Sequence, residues 1–491
     1  MKILKKLGWV WVLLMISMVS CKKEDSPPTP TPVAKSSAKA ITKFTFAALN
    51  PAVDAAISGT TLSVTVPAAT DITKLVPTIT VSDKATVSPA SGTAQDFSKA
   101  VTYTVTAEDG STQAYTVSVT LLTAIPNSAN QTVFMEISGY MTALDSQTGK
   151  VKWSGYSNSL EAGYGEPIFL NGKVYYYSTN DFIASDALTG KRLFSVKSVG
   201  GQYSSNYVST YANGLIYIQN DSYFLIGIDP ATGVEKWKCA YKNAMPLNPT
   251  FADGVGYSTL KNVTKDSYGF DIDGFAAIDL ASGKLKWAKG IGSDNNPAVV
   301  DGIVYVSSRY YGGSVYAINA ASGEYLWQKR ELINDISINN NTAVTVVGNA
   351  LYVRLYNKLF ALNTKTGAKL WEYTFSIKDD VLRDGQSAPF VYNGTVYIGY
   401  NDGKVYAIDA TSGMKKWEYQ TGGKIISASP VVVDDIVYIS ADKIFALDAN
   451  TGTAKWTYTS PSSRGSYGYN SACVVDKNGV AHYPSTSGQQ H

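Results

Sequence analysis

Only two histidines, His482 and the terminal His491, occur in the chain. Nucleophilic catalysis of the Ser-His-Asp type needs a histidine held between a serine and an acid, and a multi-histidine metal site needs several imidazoles. Two histidines all but exclude both, and His482, inside a short apolar hairpin, reads as structural. Thiol chemistry is equally sparse. Cys239 and Cys473 lie far apart within apolar runs, which suits small buried strand residues better than a disulfide framework. One acidic group is a weak metal candidate: Asp266, Asp271 and Asp273 fall among Tyr268, Phe270 and Phe275 in the segment 261–274. Several oxygen ligands on a short loop can hold Ca²⁺. The segment lacks the full Asp-x-Asp-x-Asp-Gly pattern, so a solvated insertion is the plainer reading. The remaining chemistry is that of a surface. Among 34 tyrosines, Tyr203, Tyr207, Tyr211, Tyr310, Tyr311, Tyr467 and Tyr469 stand outside the apolar strand runs. A tyrosine offers a rigid face and a polar tip, suited to stacking on a sugar ring or anchoring a protein partner; a β protein rich in packing tyrosines is the competing account.

The elements that must carry such a surface are repetitive. A phrase of the form Ala-Leu/Ile-Asp/Asn-x-x-Thr/Ser-Gly-x-x-x-Trp recurs eight times, ending at Trp153, Phe194, Trp237, Trp287, Trp327, Trp371, Trp417 and Trp456. Its glycines are Gly149, Gly190, Gly233, Gly283, Gly323, Gly367, Gly413 and Gly452. The period of about 40 to 50 residues is that of a four-stranded propeller blade. The phrase makes sense as the turn joining the last two strands of a blade. An acid such as Asp409 caps backbone N–H groups, Gly413 supplies positive φ, and the next strand brings Trp417 against the neighbouring blade. Truncating such a tryptophan to alanine costs roughly 3–5 kcal/mol where the ring is buried.

A second series alternates with the first. Short β-branched and aromatic runs flank turn dipeptides at Asn171-Gly172, Asn213-Gly214, Asp253-Gly254, Asp301-Gly302, Gly348-Asn349, Asn393-Gly394, Asp434-Asp435 and Asn478-Gly479, each the signature of a hairpin. The chain enters with a Trp phrase that no hairpin precedes and leaves with a hairpin, residues 471–483, that no Trp phrase follows. The two halves should complete one another in one closing blade, with a strand at Val133 to Ile137 and one or two more from the C-terminal segment.

On these residues the segment 131–487 resembles the PQQ-like β-propeller family, the eight-bladed fold of quinoprotein alcohol dehydrogenases and of an outer-membrane β-barrel assembly lipoprotein. The resemblance implies fold more firmly than function, because propellers host unrelated activities. Quinoprotein dehydrogenases carry an adjacent Cys-Cys pair near the quinone, and this chain has none. No cofactor is therefore expected, PQQ included, and no catalytic residue is assigned.

The N-terminus supplies an address. A basic leader, an apolar stretch from Leu7 to Val19 and Ser20-Cys21 resemble a bacterial lipoprotein signal, which implies cleavage before Cys21 and lipid on that residue. Met18 departs from the usual leucine. Lys22, Lys23, Glu24 and Asp25 then resemble an export tag for surface lipoproteins, and a proline-rich run to Pro32 reads as an extended stalk. Between stalk and ring, alternating strands at 62–66, 79–81, 101–105 and 115–120, punctuated by Pro67, Pro77, Pro89, Gly92 and Asp109-Gly110, suit a small antiparallel sandwich resembling the Ig-like modules of surface lipoproteins.

The expected fold is therefore all-β, an eight-bladed propeller preceded by a small Ig-like β-sandwich. The expected segments are signal 1–20, lipidated Cys and linker 21–40, sandwich 41–122, linker 123–130 and propeller 131–487. A net charge of +3 is too small and dispersed for nucleic acid. The expected function is that of a lipid-anchored, non-enzymatic and monomeric binding protein in the outer membrane. Its partner would be a protein in the envelope. The alternatives are a surface glycan and, behind that, a quinoprotein dehydrogenase.

Overall fold

The computed structural model describes residues 35–49, 53–66, 70–121, 131–137, 140–156, 166–178, 181–197, 209–219, 224–239, 247–265, 271–293, 295–308, 313–330, 332–333, 342–376, 387–423, 428–459 and 471–484. Cys21, its leader and the proline-rich run lie outside them. No helix among the described residues is long and apolar enough to cross a membrane.

Residues 36–121 form two sheets around one core. A three-stranded sheet orders Val53–Asp54, Ile41–Phe46 and Thr78–Val81. A five-stranded sheet orders Ala56–Ser58, Thr61–Val66, Thr112–Leu121, Val101–Thr106 and Thr86–Ser88. The alternation in Thr61–Val66 is realised residue by residue, since Leu62, Val64 and Val66 are buried and the residues between them exposed. These side chains close on Phe44, Phe46, Phe97 and Tyr103, whose rings meet edge to face, as at Phe44 and Phe46 (5.6 Å between centroids, 87° between planes). The sandwich is not wholly antiparallel: Thr61–Val66 runs parallel to Thr112–Leu121, Thr61 opposite Thr116 and Val66 opposite Leu121. Alternation reports which face is buried and carries no information on the direction of the neighbouring strand. The module also begins before residue 41. The Ser36 N–H donates to Glu108 (3.0 Å), and the Tyr115 hydroxyl donates to the Lys39 carbonyl (3.1 Å).

From Thr132 onward the described residues form seven four-stranded sheets and one five-stranded sheet, each strand antiparallel to its sequence neighbour. The sheets pack face to face in chain order. One apolar cluster joins Phe134 and Ala143 of the first sheet to Phe169 and Val174 of the second. Equivalent clusters join each later pair, and the last carries Val437 and Phe445 onto Val133 and Met135 of the first sheet. Strands such as Lys173–Tyr177 are buried on both faces because alternate side chains enter different seams, as in a propeller whose sheets are radial walls. Inner strands of successive sheets, such as Leu247–Ala252 and Ala298–Val300, touch around the axis.

Closure joins the two ends of the ring as expected, with two strands from the C-terminal segment. The strand Thr132–Ile137 already occupies the second position of the first sheet, and Cys473–Val475 fills the inner position beside it, Cys473 opposite Phe134. The second half of the 471–483 hairpin is thus left over, and Ala481–His482 lies as a fifth strand on the inner edge of Cys473–Val475. Pro167, Pro297, Pro389 and Pro430 directly precede their inner strands, removing an N–H from that edge. Ala472 stands at this point in the first sheet.

Candidate functional site

Antiparallel connectivity divides the ring's connections between two ends. One end is made of the hairpin turns between first and second strands and the Asp-to-Gly turns between third and outer strands. Both are short and internally satisfied. At six hairpins both central residues have positive φ, as at Asn171 (49°) and Gly172 (74°) or Asp434 (48°) and Asp435 (57°), which matches the twist of the flanking strands. Two differ from the sequence expectation. Gly348 is left-handed without Asn349, and Gly479 (80°) belongs to a wider turn. That wider turn is held by Asp476, which accepts from the N–H groups of Asn478 (2.8 Å) and Val480 (2.9 Å).

The Asp-to-Gly turns build the seams. Asp409 Oδ1 accepts from the N–H groups of Thr411 (3.1 Å) and Ser412 (2.9 Å) and from the Ser412 hydroxyl (2.9 Å). These bonds, led by the Ser412 N–H, hold its carboxyl down at about 2. The same donors lower Asp229, Asp279 and Asp448. Gly413 closes the turn with φ of 73°, and a Cβ there would meet the Trp371 ring of the preceding sheet at 2.8 Å. Trp153 stacks in this way on Gly190, Phe194 on Gly233, Trp287 on Gly323, Trp327 on Gly367, Trp417 on Gly452 and Trp456 on Gly149. Gly283 has φ of 67°, while Trp237 lies edge-on to Tyr217 (5.5 Å). The indoles also donate across the seam: Trp153 to the Ala187 carbonyl (2.8 Å), Trp371 to Ala410 (2.9 Å), and Trp456 to Ser146 (2.8 Å), which returns the series to the first sheet. Each Trp faces a small residue within its own sheet, Ala407 opposite Trp417 and Gly227 opposite Trp237.

A partner series escaped the sequence reading. Tyr257, Tyr305, Tyr352, Tyr397 and Tyr438 donate to the same carbonyls as the tryptophans, Tyr352 to Ala410 (3.1 Å) and Tyr397 to Ala449 (3.0 Å). Burial raises their phenols, Tyr257 to about 12. The signal was present, since each follows the second turn residue by three positions.

The opposite end is built differently. Connections from an outer strand to the next inner strand run to between eight residues (239–246) and 15 residues (330–344), against two at the hairpin turns, and most of their length lies outside the described residues. The same end also carries the short turns between second and third strands, such as Tyr356 and Asn357, Asn401 to Gly403, and Ala441 to Lys443. Beneath it hydroxyls stitch the inner strands: Ser429 accepts from the Ala388 N–H and Ser471 from the Ser429 N–H, both at 2.9 Å. Arg354, buried, donates to the Tyr356 carbonyl (2.9 Å) and lies over the Tyr400 ring (5.6 Å). Burial lowers its guanidinium to about 10, so it stays charged at neutral pH.

The other sequence candidates fare unevenly. Asp271 and Asp273 sit in a strand, Asp271–Asp279, paired with Val255–Lys265, so the described part of the insertion is a lengthened hairpin. Asp266 lies outside the described residues, and no metal-holding group occurs among those described. Tyr203, Tyr207, Tyr310, Tyr311, Tyr467 and Tyr469 also lie outside; Tyr211 is exposed beside the Asn213 turn. Cys239 and Cys473 are buried and outside any disulfide, and burial pushes the Cys473 thiol far up. His482 Nε2 lies 3.2 Å from Asp476 Oδ2. Burial raises the Asp476 carboxyl, but His482 and the turn N–H groups outweigh it and hold it low. This pair braces the closing turn.

Comparison with known proteins agrees with this architecture. Residues 98–328 and 247–458 match the model of a family described as outer membrane protein assembly factor BamB. The chain belongs to this family. Residues 41–119 match a second model, described as SGBP, N-terminal. The outer membrane protein assembly factor BamB of Yersinia pestis is 24% identical over 331 residues, covering 62% of this chain and 78% of its own length. That of Salmonella typhimurium is 22% identical over 350 residues, covering 58% and 86%. The crystal structure of BamB from Moraxella catarrhalis aligns with a TM-score of 0.48 at 18% identity, covering 68% of this chain and 92% of that one.

Proposed function

We propose that the chain is a lipid-anchored, non-catalytic scaffold of the outer membrane, an eight-bladed ring on an Ig-like spacer that binds a protein partner in the assembly of outer-membrane proteins. The observation that carries this reading is the family match, which spans most of the ring and whose relatives are named as assembly factors. The seam chemistry supports a scaffold: the Asp, Thr, Trp and Tyr side chains of the repeat are consumed by turns and seams, leaving them no reactive role. The lipid anchor rests on the sequence around Cys21, and the N-terminal family matched by 41–119 supports a separate module ahead of the ring.

Deleting the gene should lower the abundance of outer-membrane β-barrel proteins, and the purified chain should bind the barrel-assembly protein of the same cell. Unchanged barrel levels together with no such binding would overturn the scaffold reading. Glycan capture is the second reading, favoured by Tyr211, 44% exposed beside a rigid turn; retardation by an envelope polysaccharide in affinity electrophoresis, lost in Tyr211→Ala, would support it. Incubation with PQQ and Ca²⁺ should leave no bound quinone, and stoichiometric binding by calorimetry would return the chain to the dehydrogenases. Protease added to intact cells tests the leaflet: a surface protein is shaved, and replacing Lys22, Lys23, Glu24 and Asp25 with alanine should protect it.

A further inference from the structure

The last described strand of the chain covers backbone edges that belong to the ring. Ala481–His482 pairs with Cys473–Val475, His482 opposite Val474 and Ala481 opposite Val475. It stands on the axial side of the first sheet and lies beside Val431–Val433, the inner strand of the eighth. One residue later Tyr483 reaches the inner strand of the second sheet. Its hydroxyl donates to the Phe169 carbonyl (2.8 Å) and accepts from the Phe169 N–H (3.1 Å). A single phenol oxygen thus does for Phe169 what a facing residue does in an antiparallel ladder. Burial pushes that phenol well above its ordinary value, so the hydroxyl keeps the proton it donates.

The tyrosine ring adds packing to the pairing. It rests against the cluster of Phe134, Phe169 and Cys473 between the first and second sheets, and against that of Ile168, Tyr175 and Ile216 between the second and third. The other seven sheets of the ring are complete with four strands, so the segment 481–483 is an addition to the repeat rather than part of it. Its hold is short: two residue pairs, one tyrosine, and the contact of His482 with Asp476 (3.2 Å). All three of its residues are only half-buried. This is the chemistry of strand addition, in which backbone pairing to a sheet edge supplies affinity and a side chain in a pocket supplies selectivity.

We propose that the axial edge of the first and second sheets is a binding site for an extended peptide of the pattern Ala-x-Tyr, filled in this chain by its own residues 481–483. The seated segment defines the chemistry. Cys473–Val475 offers backbone groups that any strand can pair with. Phe169, set between two apolar clusters, selects a phenol, because a flat ring suits the clusters and a hydroxyl both donates and accepts. Phenylalanine would fill the same space and leave the N–H and C=O of Phe169 unmet. The site does not depend on the scaffold reading. Attachment to the chain keeps the segment at an effective concentration in the millimolar range, so a peptide from outside enters only at comparable concentration or once the segment is removed.

Amide hydrogen exchange in two variants, with one peptide, tests the site. In the full chain Tyr483→Phe should leave the ring folded and speed exchange at Phe169 by roughly three- to tenfold. Deleting 481–491 should preserve the melting transition and speed exchange both at Phe169 and within 473–475. A synthetic peptide of residues 479–485, Gly-Val-Ala-His-Tyr-Pro-Ser, added to the deleted chain at millimolar concentration, should restore slow exchange at both places. The same peptide carrying Tyr483→Phe should fail to restore it at Phe169. Unchanged exchange at Phe169 in Tyr483→Phe, or a peptide that restores neither place, overturns the proposal. Loss of the melting transition on deleting 481–491 would make the segment part of ring closure rather than the occupant of a site, and would overturn it as well.

Discussion

The two ends of the ring are made from the same strands and obey different rules. At the tight-turn end every connection is short, and its donors and acceptors are used locally: Asp409 by Ser412, Gly413 by the Trp371 ring, and the Ala410 carbonyl by both Trp371 and Tyr352. At the other end the connections between sheets run to 15 residues (375–389). The first end is where stability is concentrated and where substitution is costly.

The sharpest way to break this comparison is to attack the closing seam. Removing residues 460–491 takes away Cys473–Val475 and Ala481–His482 and strips the inner edge from Thr132–Ile137. An exposed strand edge invites association, so the variant should aggregate or lose most of its cooperative melting transition. Removing 22–122 should leave the transition of the ring in place. An equal melting temperature for the 460–491 deletion would mean that the ring does not close through its C-terminal strand.

A single seam comes next. Trp371→Ala should cost about 3 kcal/mol by denaturant unfolding, within the range for large-to-small changes in a core. Gly413→Ala should cost at least about 1–2 kcal/mol from its left-handed backbone alone, and more from the Cβ contact at 2.8 Å. Because the two residues touch, the double variant should cost less than the sum of the singles; strict additivity would argue against the stacked seam. Tyr352→Phe removes one of two donors to the Ala410 carbonyl and should cost only about 0.5–1.5 kcal/mol. At the opposite end, Asp442→Ala and Lys443→Ala, both exposed in a three-residue turn, should stay within about ±0.5 kcal/mol.

Acid should weaken the tight-turn end through its carboxylates. Asp409, Asp229, Asp279 and Asp448 are held below their ordinary value in the folded chain. A depressed carboxyl contributes stability that is fully present above its unfolded value of about 3.9. That contribution is lost as pH falls toward about 2, the folded value at Asp409. Urea midpoints should therefore fall between about pH 4 and pH 2. Asp409→Asn should show a flatter decline, and an identical slope would remove the carboxylate from the account.

Much of this molecule was legible before any coordinates, because it is made of local rules repeated at a fixed spacing. Turn chemistry at Asn171-Gly172 and Asp409 to Gly413 depends on adjacent residues, and two-face burial follows from β-branched runs such as 303–306. What stayed hidden required knowing which residues from distant parts of the chain meet. The Tyr series was visible as a spacing but had no meaning until Tyr397 and Trp417 were found on one carbonyl of the next sheet. The Ca²⁺ reading of 261–274 weighed composition, whereas backbone pairing drew Asp271 and Asp273 into a strand. Strand direction in the sandwich was beyond alternation, since the side-chain period is the same for parallel and antiparallel neighbours. By itself, then, the sequence determined the repeat, most of the turns and the buried faces, all set by contacts within about a dozen residues. Only the tertiary structure decided that Ala481–His482 is a surplus inner strand and that the ring is entered from its tight-turn end. Both depend on long-range pairing, in which Phe134 meets Cys473 and Gln131 meets Asp476 across more than three hundred residues.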